Sequence, residues 1–268
     1  MRTTRILAAT SGLLLLGMAV PAQADTNDAH LSVLHGVPGL TVDVYVNGDL
    51  TLDDFKPGDL AGPLELPAGT YSVALTAADA ADASAPVLGP IDLPLEAGRN
   101  YTAVAHLDAD GNPTANLFTN DTSSLAAGEG RLTVRHVAAA PAVDILAGGT
   151  AVITNLANPD ESTLELPAGT VSAAVAATGT TDPVLGPADV EVKDGVATIV
   201  YAWGSLEDDN LALAAQTIDG LGSAPHGVPT GQVEVVENGN GMVLAAGAGL
   251  AALLAFGAVT RRLATARQ

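Results

Sequence analysis

Short stretches of alternating apolar and polar residues, separated by turn sequences, run through most of the chain. Residues 41–46 alternate and are followed by Asn47-Gly48, the pair most typical of a tight β-hairpin. Gly148-Gly149 follows residues 143–146 in the same way. Turn sequences recur roughly every 8–12 residues, a spacing typical of a β-sandwich. The pattern therefore predicts an all-β protein with seven or eight strands per domain.

The chain also repeats itself. The sequence Glu-Leu-Pro-Ala-Gly-Thr at residues 65–70 recurs letter for letter at residues 165–170. Three further pairs of segments match: 31–35 with 132–136, 42–45 with 143–146, and 86–90 with 183–187. Solenoid repeats run only about 20–50 residues, so a repeat of this length is a duplicated domain. We therefore expect two tandem β-sandwich domains, at residues 25–122 and 131–220.

The repeated Pro-Ala-Gly sequence is expected to form a hairpin turn in each copy. It separates an apolar stretch at residues 64–66 from another at 70–76, and the second copy repeats this arrangement. Gly69 and Gly169 are expected to supply a positive φ, which other residues resist. Residues 77–85, which carry aspartates and precede a proline, are predicted to form a loop.

Both ends of the chain carry an apolar segment. Residues 1–24 have a basic start, an apolar stretch and the cleavage-site sequence Ala22-Gln-Ala24, which together predict a secretory signal peptide. Residues 242–260 contain no charge and would span about 28 Å as a helix, close to the ~30 Å hydrocarbon thickness of a bilayer. The basic tail, residues 261–268, predicts a cytoplasmic C-terminus. We expect a single-pass cell-membrane protein, with residues 221–241 as a stalk and an extracellular ectodomain.

The charge between these two ends is strongly negative. All 30 acidic residues lie there. The opposing basic residues are Lys56, Arg99, Arg131, Arg135 and Lys193. Such a surface repels nucleic acid and anionic lipid headgroups, so no nucleic-acid partner is expected. There is no cysteine, so the apolar core alone must hold each domain. The excess of arginine over lysine and the abundance of alanine favour a GC-rich bacterial genome, such as that of an actinobacterium.

A set of motifs resembles a known family. Leu-x-Val-x-His, a proline-containing loop, Val-Asp-Val-Tyr-Val-Asn-Gly and Leu-Pro-Ala-Gly-Thr-Tyr together resemble DUF4397, a domain of unknown function in secreted and surface-attached bacterial proteins. The first copy carries these motifs at His35, Pro38, 42–48 and 66–71; the second carries them at His136, Pro141, 143–145 and 166–170. The second departs from the pattern at Leu146 and Val171. The resemblance spans residues 31–121 and 132–219. The resemblance implies an immunoglobulin-like or related β-sandwich for each copy, hence two tandem immunoglobulin-like β-sandwich domains, and a surface location. It brings no activity and no site residues.

Two motifs resemble metal sites. His35 and His136 occupy the same repeat position, but a metal site usually needs three or four ligands, so we favour histidines that fix the following loop by hydrogen bonds. Asp108, Asp110 and Asn112 have the spacing of the first three ligands of a calcium loop. Gly111 stands at position 4 rather than 6 of that loop, and Thr119 stands where the bidentate glutamate belongs, so a hairpin turn is favoured.

No catalytic motif is present. There is no cysteine, no Gly-x-Ser-x-Gly and no phosphate-binding glycine loop. Tyr201 and Trp203 would suit a sugar-stacking surface, although a single tryptophan in an apolar strand is more often part of a core. We therefore predict that the protein is not an enzyme, that it has no catalytic, cofactor-binding or metal-binding residues, and that it needs no cofactor.

These observations favour a non-enzymatic surface protein, displayed by one transmembrane helix for adhesion, ligand binding or envelope organisation. Its partner would be an unidentified envelope protein or glycan. The alternative is a carbohydrate- or peptide-binding module in a cell-envelope process. A weaker alternative is a hydrolase whose site assembles only in three dimensions.

Overall fold

Sixteen β-strands make up residues 28–223, the part of the chain that the computed structural model describes. Among these residues, no helix is long and apolar enough to cross a membrane. The predicted signal peptide, the transmembrane helix, the cytoplasmic tail and most of the stalk lie outside the described residues.

The first eight strands form one β-sandwich. They are β1 (Asp28–His35), β2 (Val42–Val46), β3 (Asp49–Phe55), β4 (Leu60–Pro67), β5 (Gly69–Ala77), β6 (Leu88–Leu95), β7 (Asn100–Leu107) and β8 (Pro113–Asn120). One sheet has the order β4-β1-β7-β8 and the other has the order β3-β2-β5-β6. The central pair β1 and β7 is parallel, and the other pairs are antiparallel.

The next eight strands form a second sandwich with the same topology. They are β9 (Glu129–Ala139), β10 (Val143–Ala147), β11 (Thr150–Leu156), β12 (Glu161–Pro167), β13 (Gly169–Ala177), β14 (Pro183–Val192), β15 (Ala197–Ser205) and β16 (Ala212–Ile218). The sheet orders are β12-β9-β15-β16 and β11-β10-β13-β14, and β9 and β15 are parallel. The predicted fold class, all-β with two sandwich domains, is therefore confirmed.

Alternation along the strands builds the core of each sandwich. In the first, inward-facing aliphatic residues such as Leu31, Val44 and Leu75 are buried between the two sheets. In the second, Leu132, Ile145 and Val175 are buried at the corresponding place. Aliphatic side chains carry both cores because the chain contains few aromatic residues.

The predicted hairpin turns at the ends of β2 and β10 are confirmed. Asn47 and Gly48 have φ angles of 53° and 88°, and Gly148 and Gly149 have 56° and 81°. Positive φ at both central residues is the requirement of a type I′ turn, whose twist matches that of the flanking strands.

The predicted hairpin at Pro-Ala-Gly is wrong. β4 ends at Pro67 and pairs with β1, whereas β5 begins at Gly69 and pairs with β2 and β6. The segment therefore carries the chain from one sheet to the other. Gly69 and Gly169 do not have positive φ, because an extended corner between sheets needs no left-handed residue. The Tyr71 hydroxyl donates a hydrogen bond to the Pro67 carbonyl across this corner at 2.8 Å.

A third buried cluster lies between the two sandwiches. Leu34 and Val104 of the first pack in this cluster with Val137, Ile199 and Tyr201 of the second. The sheet that contains β1 and β7 packs against the corresponding sheet of the second sandwich, because β7 contacts both β15, its counterpart, and β9. Residues 28–223 all belong to one compact unit of the structure.

The segment joining the sandwiches is held to the chain that follows β16. Leu125 is buried, its N–H donates to the Leu221 carbonyl at 2.7 Å, and the Ser223 N–H donates back to the Leu125 carbonyl at 2.9 Å. These bonds anchor the connection at the end of the second sandwich.

Candidate functional site

A buried arginine lies at the contact between the sandwiches. Arg135 is 1% exposed. Its Nε donates to Glu161 Oε2 at 2.7 Å, its Nη1 to the Tyr201 hydroxyl at 2.9 Å and its Nη2 to Asn120 Oδ1 at 2.8 Å. Its guanidinium carbon lies 4.3 Å from the ring centroid of Phe118, within cation–π range. Asn120 and Phe118 belong to the first sandwich, so this one side chain contacts both domains.

The polar network continues across the contact. The Tyr201 hydroxyl donates to Gln216 Oε1 at 2.6 Å, and Thr102 Oγ1 of the first sandwich donates to the same oxygen at 3.0 Å. Gln216 Nε2 donates to Ser32 Oγ at 3.1 Å. Burial raises the pKa of Tyr201, so the hydroxyl keeps its proton and remains a donor. A satisfied buried network of this kind fixes one relative orientation of its partners.

A second buried arginine holds the linker. Arg131 is 2% exposed, and its guanidinium donates to the Asp121 and Ser123 carbonyls at 2.9 and 3.2 Å. It also donates to Glu165 Oε1 at 2.8 Å. The first arginine thus fixes the two domain faces, and the second fixes the chain that connects them.

A shallow groove of about 620 Å³, wide open to solvent, lies beside this contact. One wall is formed by Leu117, Phe118 and Thr119 of β8, in the first sandwich. The other wall is formed by residues 153–156 and 159–162 of the second sandwich, in β11, in β12 and in the turn between them. Ligand sites are commonly concavities of about 300–1,000 Å³ and favour domain interfaces. We therefore define the interdomain groove, lined by these residues, as the candidate site.

The chemistry of the interdomain groove is mixed and carries negative charge. Polar groups are contributed by Thr119, Thr154, Asn155, Asp160, Glu161 and Ser162, and apolar contacts by Leu117, Phe118, Ile153, Leu156 and Pro159. Three strands beside it, β8, β11 and β12, are edge strands of their sheets. Edge strands present unpaired backbone N–H and C=O groups, which an extended peptide can use.

The two repeated histidines lie elsewhere, one in each sandwich. His35 Nε2 is 2.7 Å from the Leu40 carbonyl, and His136 Nε2 is 3.0 Å from the Pro141 carbonyl. Burial lowers the pKa of both rings, which favours the neutral form. Each histidine therefore bonds to the loop that follows its strand, and neither joins a group of metal-ligating side chains within residues 28–223.

The calcium-like motif forms the turn between β7 and β8. Asp108 Oδ1 accepts hydrogen bonds from the Asn112 N–H at 2.8 Å and the Asp110 N–H at 2.9 Å. The bond from Asn112 is the main reason that the pKa of Asp108 lies below its ordinary value. This carboxylate is therefore engaged by the turn itself.

The two aromatic residues form no exposed stacking surface. Tyr201 is fully buried in the network described above. Trp203 packs on the first sandwich, where a Cβ added at Gly58 would lie 3.0 Å from Trp203 Cζ2 and one at Gly36 would lie 3.4 Å from Trp203 Cβ. Both residues belong to the contact between domains, not to the core of a single domain.

A family comparison covers the first sandwich. Residues 29–146 match the family model of DUF4397, a domain of unknown function. The chain contains a DUF4397 domain. The match begins in β1, spans the rest of the first sandwich and ends in β10 of the second. No curated protein is similar enough to the chain to count as a match.

The DUF4397 match covers only part of the contact between the sandwiches. Phe118, Asn120 and Arg135 lie within the matched residues 29–146, whereas Glu161 and Tyr201 lie beyond them. The predicted resemblance to the DUF4397 family is confirmed, and the family description carries no activity.

Sequence reasoning missed an acidic cluster in the DUF4397 domain. Carboxylate oxygens of Asp43, Asp53 and Asp54 lie within 4.8 Å of one another. The nearby charge of Asp43 is the main cause that raises the pKa of Asp53. The strand register of the β2–β3 hairpin could have indicated this cluster, because it brings Asp53 and Asp54 opposite Asp43. Carboxylates are the oxygen ligands that Ca²⁺ takes, but exposed acidic groups are also common without an ion.

Proposed function

We propose that the protein is a membrane-anchored extracellular binding protein without catalytic activity, whose two sandwiches hold a ligand in the interdomain groove. The observation that carries this proposal is the position of Arg135. It bonds to Glu161, a residue of the groove, and to Asn120, next to the other wall. A site with walls that are already fixed loses less conformational entropy on binding.

The sequence at both ends supports the location. Residues 1–24 have the pattern of a secretory signal, and residues 242–260 have the length and apolar character of a membrane span. With the basic tail inside the cell, the sandwiches project outward. An acidic surface keeps such an ectodomain soluble and away from anionic headgroups.

The groove favours an extended peptide segment of an envelope protein. Edge strands on both sides offer backbone hydrogen bonds, and hydroxyl and amide side chains add further partners. Glu161 is paired with Arg135, so the charge of Asp160 is the one that disfavours acidic ligands and favours neutral or basic ones. The carbohydrate alternative rested on an aromatic platform, and Tyr201 and Trp203 are engaged between the sandwiches instead.

Topology is tested with two epitope tags. One is inserted after Gly48, where the exposed hairpin leaves open space, and the other follows Gln268. On intact cells, an antibody should detect the first tag and should detect the second only after permeabilisation. Detection of the Gln268 tag alone on intact cells would contradict the proposed orientation.

Binding is tested with purified residues 25–240 and solubilised envelope material. Thr119→Arg places a long side chain in the groove, and Thr70→Arg makes the same change at an exposed site on β5. The wild type and the Thr70→Arg variant should recover the same envelope protein, and the Thr119→Arg variant should not. Equal recovery by all three proteins would remove the groove from the proposal.

A further inference from the structure

The interior of the second sandwich contains unfilled space. Two adjoining cavities of about 50 and 30 Å³ lie between its sheets. They share Val175, Leu185 and Ala202 as lining residues. No charged side chain lines them, and the one polar ring, His136, is buried and bonded to the Pro141 carbonyl. The space is therefore apolar and separate from the interdomain groove.

Small residues account for this space. In the first sandwich, Val73 on β5 pairs with Ile91 on β6. At the same register in the second, Ala173 on β13 pairs with Ala188 on β14, and both alanines line the smaller cavity. Each replacement removes side-chain volume, and packed interiors close such gaps only in part. The same topology thus leaves room in the second copy.

Exposed apolar side chains surround these cavities. Val184 and Leu206 line the larger one and are 42% and 43% exposed, and Leu213 lines the smaller one and is 38% exposed. Val184 lies on β14 and Leu213 on β16, and each of these is an edge strand of its sheet. Large apolar residues left in water beside an apolar cavity are typical of a ligand entrance.

We propose that the second sandwich binds one unbranched alkyl chain, such as the acyl chain of a lipid, which enters between β14 and β16. A group the size of a water molecule needs about 10–15 Å³ of cavity volume, so the two cavities together have room for about six such groups. A methylene group is close to water in size, and two small adjoining cavities suit a linear chain of about six carbons better than a ring. The polar end of the ligand stays in water at the entrance.

The first test uses a series of straight-chain alcohols, which carry no charge that the acidic surface would repel. Residues 25–240 are titrated with 1-butanol to 1-octanol, and methyl NMR signals of Val175 and Leu185 report occupancy. Affinity should rise about fourfold per added carbon up to about six carbons and then level off. Affinity independent of chain length, or shifts confined to residues away from the cavities, would overturn the proposal.

Ala188→Ile tests the site by giving the second sandwich the residue that the first has at Ile91. Binding of 1-hexanol should weaken at least tenfold. Ala151→Ile adds the same atoms at an exposed position on β11 and should leave affinity unchanged. If Ala188→Ile does not fold, Ala173→Val fills the same cavity with a smaller addition and should weaken binding in the same direction.

Two further comparisons distinguish alkyl binding in these cavities from ligand binding in the interdomain groove and from effects of the rest of the chain. Thr119→Arg should leave 1-hexanol binding unchanged, so a failure of the interdomain groove does not affect this result. The full chain should bind 1-hexanol as residues 25–240 do. A full chain that binds none would show that the cavities are filled or closed in the whole protein, and would overturn the proposal.

Discussion

Arg135 of the second sandwich donates a hydrogen bond to Asn120 of the first, with 2.8 Å between Nη2 and Oδ1. The two residues are 1% and 4% exposed, so the bond lies in an interior from which water is excluded. A buried charge is tolerated only where its partners are all in place. The relative orientation of the two sandwiches is therefore tied to this contact.

Replacing Arg135 by methionine should destabilise the whole unit. Asn120 and Tyr201 would each lose a buried hydrogen-bond partner, at about 1–3 kcal/mol per unsatisfied group. We expect the free energy of unfolding to fall by about 2–6 kcal/mol in urea denaturation followed by circular dichroism. Arg99→Met is the control, since Arg99 pairs with Glu96 on the surface, and it should change stability by less than about 0.5 kcal/mol. Similar effects of both changes would contradict a stabilising role for the buried network.

Gly58→Ala should disturb the packing of Trp203 on the first sandwich. The new Cβ would lie 3.0 Å from Trp203 Cζ2, and Gly58 has a φ of 87°. Gly48→Ala is a matched control, because Gly48 has a φ of 88° and open space around it. Both variants carry the backbone strain, about 1–2 kcal/mol, but only Gly58→Ala adds the steric contact. Trp203 is the single tryptophan, so its fluorescence emission should shift in Gly58→Ala and not in Gly48→Ala.

The sequence carried enough information for the fold of each sandwich. Positive φ at Asn47-Gly48 follows from turn chemistry, and the repeat placed a second sandwich after the first. The Pro67–Gly69 corner was misassigned because a turn between two strands of one sheet and a crossover between sheets use similar residues. Only the pairing of β4 with β1 separates these two possibilities.

The contact between the sandwiches could not be predicted from the sequence. Arg135 sits in an alternating strand, where a charged residue normally points to water. Its burial depends on Phe118 and Asn120, which come from another domain. The cavities of the second sandwich could not be predicted from the sequence for a related reason. Ala173 and Ala188 leave space only because the strand register pairs them.

Asp53→Asn should stabilise the protein at neutral pH. Like charge, mainly that of Asp43, raises the pKa of Asp53 in the folded state. The folded state therefore holds this proton more tightly than the unfolded state, and stability is lost as pH rises through the raised pKa. The melting temperature of Asp53→Asn should exceed that of the wild type at pH 7, and the difference should vanish below the ordinary carboxyl pKa of 3.8. Asp92→Asn, on the exposed face of β6, is the control for a general loss of negative charge.

Asp144→Asn should have the opposite effect. The Asn155 and Gly179 N–H groups donate to its two carboxylate oxygens at 2.8 and 2.9 Å and lower its pKa. This carboxylate therefore stabilises the fold above its ordinary pKa, and the contribution is lost as pH falls through the lowered value. The variant should melt below the wild type at pH 7, and the two should converge in acid. A constant difference across that range would show that the charge of Asp144 is not responsible.

The interdomain groove exists only if the two sandwiches keep one relative orientation. Residual dipolar couplings, measured on residues 25–240 in a weakly aligning medium, report the orientation of each sandwich independently. A single alignment tensor, with the same magnitude and axes, should describe the amide couplings of both sandwiches. Two different tensors would mean that the sandwiches move separately, and the groove would then not be a fixed binding site.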